Sequence, residues 1–239
     1  MYKNKTFLAI VPARANSKRL PNKNILNLAD KPLVVWSIEA GLKSKYVDEV
    51  MVSTDSKIIA DISKKYGATV PFLRPNNLST DTATRSEVIK HVLNYYKNIL
   101  DKRFDYIVFL QPTSPLRSET EIDKAIEYMF DKNGDSIVSV CEVEHPIHWS
   151  GTLPKDKSMG NFLDAVAIKS RSQDLPISYR LNGAIYICDY IKFLEEGCMF
   201  LKENIYAFIM KQELSIDIDE QLDFEIANFL KKRFLNEKK

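Results

Sequence analysis

Glycine is scarce here, with 7 residues in 239, and the stretch where a phosphate loop would be sought has none. IVPARANSKRLPNKN, Ile10 to Asn24, matches neither GxxxxGK[ST] nor GxGxxG. A glycine-lined phosphate cradle is thereby excluded. Cysteine is also rare. Cys141, Cys188 and Cys198 are odd in number and lack CxxC spacing, so they read as reduced core fillers in a cytoplasmic protein. No apolar run approaches the roughly 18 residues of a membrane span, and the run opening the chain is too short for a signal peptide. Net charge is only +2. That excludes a generic polyanion binder, and with aromatics falling inside strand and helix runs it argues against a nucleic-acid module. Three histidines, His91, His145 and His148, form no HExxH or Cys/His pattern, so neither a zinc site nor a serine–histidine–acid set is expected.

What is present is an alternation of strand and helix patterns. Strands are expected at Thr6–Ala13, Glu49–Asp55, Tyr106–Gln111, Asp135–Val143, Gly183–Asp189 and Tyr206–Met210, with an extended piece at Thr69–Arg74. Helices are expected at Pro32–Leu42, Lys57–Tyr66, Glu87–Leu100, Glu119–Phe130 and Glu220–Phe234. The rhythm predicts an α/β fold: a single domain, 1–239, on a doubly wound, mostly parallel sheet. It breaks after Val143, where residues 144–178 hold three prolines, two glycines and little periodicity. So long a loop in a compact domain is usually functional or an interface. Ligands of open α/β sheets bind outside the carboxyl ends of the strands. The loops PARANSKRLPNKN, STD and QPTSPLR all follow strands and should converge.

The opening stretch sets Arg14, Lys18, Arg19 and Lys23 at such an end. Arg14 can fork onto phosphate oxygens, with Lys18 and Lys23 acting as point charges. Pro12 and Pro21 stiffen the loop. In SIDIDEQLD, Asp217 and Asp219 are two apart and share a face if extended. Such a pair suits Mg²⁺, which one or two carboxylates hold together with substrate phosphates. Asp219 could alternatively cap the last helix. Gln111, Thr113 and Ser114 offer neutral donors and acceptors for a hydroxyl-rich ligand, and Arg180 could fork onto a carboxylate.

Together IVPARANSKRLPNKN, VSTD, LRPNNLSTDTAT, LQPTSPLR, RLNGAIY and SIDIDEQLD, spanning Ile10 to Asp223, resemble the CMP-N-acylneuraminate synthetases (acylneuraminate cytidylyltransferases). The resemblance implies a nucleotide-diphospho-sugar transferase-like, Rossmann-like fold. It also implies a nucleotidyltransferase that joins CTP to a nine-carbon 2-keto acid sugar, with Mg²⁺, for glycan biosynthesis. Arg14, Lys18 and Lys23 would grip the phosphates. Asn24, Arg74, Thr82, Ala83 and Thr84 would hold the cytidine. Gln111, Arg171, Arg180, Asn182 and Tyr186 would face the sugar, and Asp217 and Asp219 would carry the metal. Residues 144–178 would form a dimerisation arm, making a homodimer. Two departures stand out: Arg19 replaces a frequent glycine, and Arg171 is displaced by one position. Two alternatives remain open at this level. One is the same chemistry on an eight-carbon acid such as Kdo; the other is a non-catalytic nucleotide or sugar sensor on this fold.

Overall fold

The computed structural model describes residues 1–163 and 168–237. Among these, one six-stranded sheet forms the centre. Its order is β4 (Glu49–Ser53), β1 (Phe7–Pro12), β5 (Tyr106–Phe109), β7 (Tyr179–Asp189), β6 (Ser136–Glu142) and β8 (Ile205–Ile209). A separate pair, β2 (Asn27–Leu28) and β3 (Lys31–Pro32), makes a small hairpin. Phe7 to Val11 are fully buried, as a strand covered on both faces should be. Their side chains alternate between two cores. Phe7, Ala9 and Val11 meet α1 (Leu33–Lys43) and α4 (Glu119–Asp131). Leu8 and Ile10 meet α3 (Arg85–Asn98) and Phe193 of α5 (Tyr190–Glu196). This is the double winding expected from the sequence.

Local chemistry sets the helix starts. Ser56 Oγ accepts from the Ile59 amide at the head of α2 (Lys57–Lys65). Thr84 with Glu87, and Ser118 with Glu121, form capping boxes on α3 and α4. The box at Thr84 starts α3 two residues before the apolar periodicity does. Helix α5 is too short to show a period. Asp189 caps it and Gly197, at φ 73°, ends it.

The expected mostly parallel sheet contains one reversed strand among those described. β7 runs antiparallel to both β5 and β6, while the other five strands share a direction. Apolar patterning does not encode direction, so the reversal was invisible in the sequence. Its consequence is positional: the start of β7 emerges where β1 and β5 end. The strand also begins four residues earlier than expected, because Tyr179, Arg180 and Leu181 pair with Glu142, Cys141 and Val140.

Between Val138 and Val140 of β6 lies one residue, but between their partners Tyr186 and Leu181 lie four. The extra chain of β7 is a bulge, and Asn182 ties it down. Asn182 is fully buried. Its Oδ1 accepts from Ser139 Oγ at 2.6 Å and the Ala184 amide at 3.1 Å. Its Nδ2 donates to Ser215 Oγ at 2.9 Å and Met210 Sδ at 3.4 Å. Every hydrogen-bonding position of the carboxamide is used. The segment 144–178 carries 3-10 turns at Ile147–Trp149 and Ser172–Asp174; residues 164–167 of it lie outside the described residues.

Asn182→Leu keeps the volume but strands several buried polar partners, so it should cost on the order of 3 kcal/mol. A urea titration should show the midpoint fall. An unchanged midpoint would mean that the carboxamide is not the tie.

Candidate active site

A cleft of about 390 Å³ opens at the carboxyl ends of β1 and β5. The Arg14–Asn24 loop, Asp81, Gln111–Thr113 and Asp219 line it. The converging loops are fixed from within. The Ala15 amide donates to Asp55 Oδ1 at 2.8 Å, joining the loops after β1 and β4. Asn24, itself buried, donates to the Arg14 carbonyl at 2.9 Å. Asn22 turns the chain at φ 56°, and Leu20 is buried beside Trp36 and Ile218. The backbone is thus anchored while the cations face the cleft.

Two carboxylates hold those cations. Asp81 pairs with Arg14 at 2.7 Å and with Lys18. Hydrogen bonds from Lys18 and then Arg14 keep its carboxyl below the usual range. Asp219 pairs with Arg19 at 2.8 Å and lies 3.6 Å from Lys23, whose ammonium also donates to the Ile218 carbonyl. Burial lowers the Lys23 pKa, against the pull of Asp219 and Asp217. Burial raises that of Asp217; a Thr113 hydrogen bond opposes the rise and the charge of Asp219 adds to it. Asp219 does not cap the last helix, α6 (Gln221–Asn236). Glu220 occupies the cap position, and Asp223 accepts from the Asp219 and Glu220 amides at 2.9 and 2.8 Å. The Asp219 carboxylate is therefore left to the cleft.

The β7 bulge delivers Gly183 against this set. A Cβ there would stand 2.5 Å from Gln111 Oε1 and 3.4 Å from Asp217 Oδ2, and φ is +72°. Glycine is required for space and for conformation alike. Arg180 is half-buried and acts on the charge of Asp217. Its side chain makes no hydrogen bond or ion pair with a described residue. Arg74 is buried beside Asp55 and Arg14, with Nε and Nη2 lacking acceptors.

Other expected residues sit differently. The Asn182 carboxamide points into the sheet rather than the cleft. Tyr186 is buried, with the Arg85 guanidinium 3.8 Å above its ring. Arg171 is exposed and bonds Asp174 at 2.9 Å. Thr84 spends its hydroxyl on the α3 cap, Thr82 lies 3.1 Å from the Thr80 hydroxyl, and Ala83 is half-buried. Asp81, Arg85 and Arg117 were missed by the sequence reading. Arg117 was signalled only by closing QPTSPLR. It is fully buried and donates to Ser37 Oγ at 2.7 Å, the Ala184 carbonyl at 3.0 Å and the Gln111 carbonyl at 3.4 Å. Burial pulls its pKa down to about 9. It locks the loop after β5 to β7.

Comparison with known proteins bears on this cleft. A family model described as cytidylyltransferase matches residues 8–239. A CMP-N,N'-diacetyllegionaminic acid synthase of Legionella pneumophila is 37% identical over 93% of this chain and 95% of its own. An N-acylneuraminate cytidylyltransferase of Escherichia coli is 38% identical over 92% of this chain but 51% of its own, which is about twice as long. Among solved structures, CMP:2-keto-3-deoxy-manno-octonic acid synthetase complexed with CTP aligns with a TM-score of 0.67. That alignment covers 96% of this chain and 99% of the other at 16% identity, a likeness of fold alone.

Asp81 occupies two cations that an incoming polyanion would need. Asp81→Asn should therefore bind inorganic tripolyphosphate more tightly, by roughly threefold to fivefold at low salt, in isothermal titration. Weaker binding would mean that Asp81 holds the cations in place instead of competing for them.

Proposed function

The chain belongs to the cytidylyltransferase family, and from that premise we propose that it transfers the cytidylyl group of CTP to a nine-carbon 2-keto acid sugar. The products are the CMP-sugar and pyrophosphate. The observation that carries the reading is the meeting of four loop cations and two carboxylates in one cleft at the strand ends. The names of the two relatives point to nine-carbon acids, whereas the eight-carbon synthetase shares only the fold.

In this reading Arg14, Lys18, Arg19 and Lys23 take the triphosphate, displacing their pairing with Asp81 and Asp219. Arg74 supports the base. Its two buried nitrogens without acceptors suit the carbonyl oxygen and ring nitrogen of cytosine. Asn24 and residues 82–84 complete the nucleoside side. Gln111 and Arg180 face the sugar, with Arg180 free to fork onto its carboxylate. Asn182 holds the bulge that sets them.

Asp217 and Asp219 would hold a Mg²⁺. They offer oxygen only, and they stand close enough for the charge of Asp219 to act on the Asp217 carboxyl. That suits an ion that completes its shell with phosphate and water. When bound, it supplies positive charge to the phosphate oxygens. The C2 hydroxyl oxygen of the sugar attacks the α-phosphorus in line, the bond to the leaving pyrophosphate breaks as the new one forms, and the hydroxyl proton passes to solvent. Negative charge grows on the pyrophosphate, where the loop cations stabilise it. Catalysis is positioning and electrostatics, with no protein nucleophile.

We infer further that the described residues of 144–178 pack against a second copy of the chain. Ile147, Trp149, Leu153, Met159, Ile168 and Ile177 are all exposed on that segment. The free thiols of Cys141, Cys188 and Cys198 fit a reducing cytoplasm.

Purified protein with Mg²⁺ and CTP should release pyrophosphate with one of N-acetylneuraminate, legionaminate or pseudaminate, and not with Kdo. Silence on every acid would favour the sensor. Asp219→Ala should lower kcat by roughly a hundredfold or more at any Mg²⁺ concentration, with unchanged circular dichroism; retained turnover would overturn the metal assignment. Sedimentation should give a dimer, and Trp149→Asp should shift it toward monomer.

A further inference from the structure

Resting on the proposed activity, we propose that Arg85 is a specificity-determining residue of the sugar pocket, where it donates to the carbonyl oxygen of an acylamido substituent on the acid sugar. Arg85 opens α3. Its guanidinium carbon lies 3.8 Å from the ring centre of Tyr186 and 5.4 Å from that of Phe109. This seat satisfies the face of the cation and none of its N–H groups. The side chain makes no hydrogen bond or ion pair with a described residue, and its Nε is buried without an acceptor. A guanidinium carries donors only. A half-buried one without acceptors calls for an acceptor from outside the chain.

Its position says which ligand brings one. Asp81, four residues earlier, lines the cleft. Phe109, which pairs with Tyr186 and lies under the same guanidinium, stands two residues before Gln111, roughly 7 Å by strand spacing, and Gly183 abuts Gln111 and Asp217. A sugar placed at Gln111 therefore has Arg85 beside its far end. The Phe200 ring, 5.9 Å from that of Tyr186 and partly exposed, adds an aromatic wall. A donor-only head against aromatic faces matches a group that sets a carbonyl oxygen beside a methyl. An acylamido substituent is such a group; a bare hydroxyl has no apolar part for the wall.

The test uses the full chain and the acid that the wild-type protein turns over, together with its counterpart carrying a hydroxyl in place of the acylamido group. Wild-type kcat/KM should favour the acylated acid. Arg85→Met, which retains packing on Tyr186, should reduce that preference on the order of tenfold to a hundredfold, the worth of a hydrogen bond from a charged donor. KM for CTP should hold, and Arg85→Lys should restore part of the preference. An unchanged ratio in Arg85→Met, or a loss appearing in KM for CTP instead, overturns the assignment while leaving the activity standing. Wild-type protein that releases pyrophosphate with no acid overturns the activity and this assignment together.

Discussion

Mutual repulsion among Arg14, Lys18, Arg19 and Lys23 is the constraint around which the cleft is built. Four cations in one short loop would spread into solvent unless something held them together. Two aspartates from remote parts of the chain do so, Asp81 for the first two and Asp219 for the last two. The loop backbone is fixed independently, through Asp55, Asn24 and the buried Leu20. A phosphate chain entering the cleft can exchange with carboxylates without rebuilding the loop. Donors already in place lose little to reorganisation when charge develops on a leaving group.

The second element is the reversed, bulged strand. Reversal brings the start of β7 to the end of the sheet where β1 and β5 stop. The bulge then turns Gly183 against Gln111 and Asp217, where no side chain would fit. Holding a bulge inside a sheet leaves polar groups to satisfy, and Asn182 with Ser139 and Ser215 satisfies them. Arg117 does the same work from the other side, with a buried cation bonded to neutral oxygens of the β5 loop and β7. These residues need not touch a substrate for the site to depend on them.

In the proposed reading, the nucleotide and sugar ends of the site are differently made. The proposed phosphate clamp is a set of cations now held by carboxylates, and it would select for anions. Around Tyr186 the surfaces are aromatic and the polar contribution is a single stacked guanidinium. Discrimination between acid sugars that share a carboxylate and differ in substituents belongs at that end, since the clamp reads none of those differences.

The sequence by itself determined the double-wound core, because strands covered on both faces are continuous apolar runs, as in Phe7 to Val11. It also determined the cationic loop and the Asp217–Asp219 pair, because charge density and spacing are local properties. Capping at Thr84 and Ser118 was equally local. Tertiary structure alone decided the direction of β7, since apolar runs read the same both ways. It decided that Asp219 faces the cleft while Glu220 takes the helix cap, and that Asn182 turns inward. It also set Asp81 on Arg14 and Lys18, and Arg85 on Tyr186. Each of these depends on a contact between residues far apart in the chain, and the partner of a side chain leaves no mark on its own neighbours in sequence.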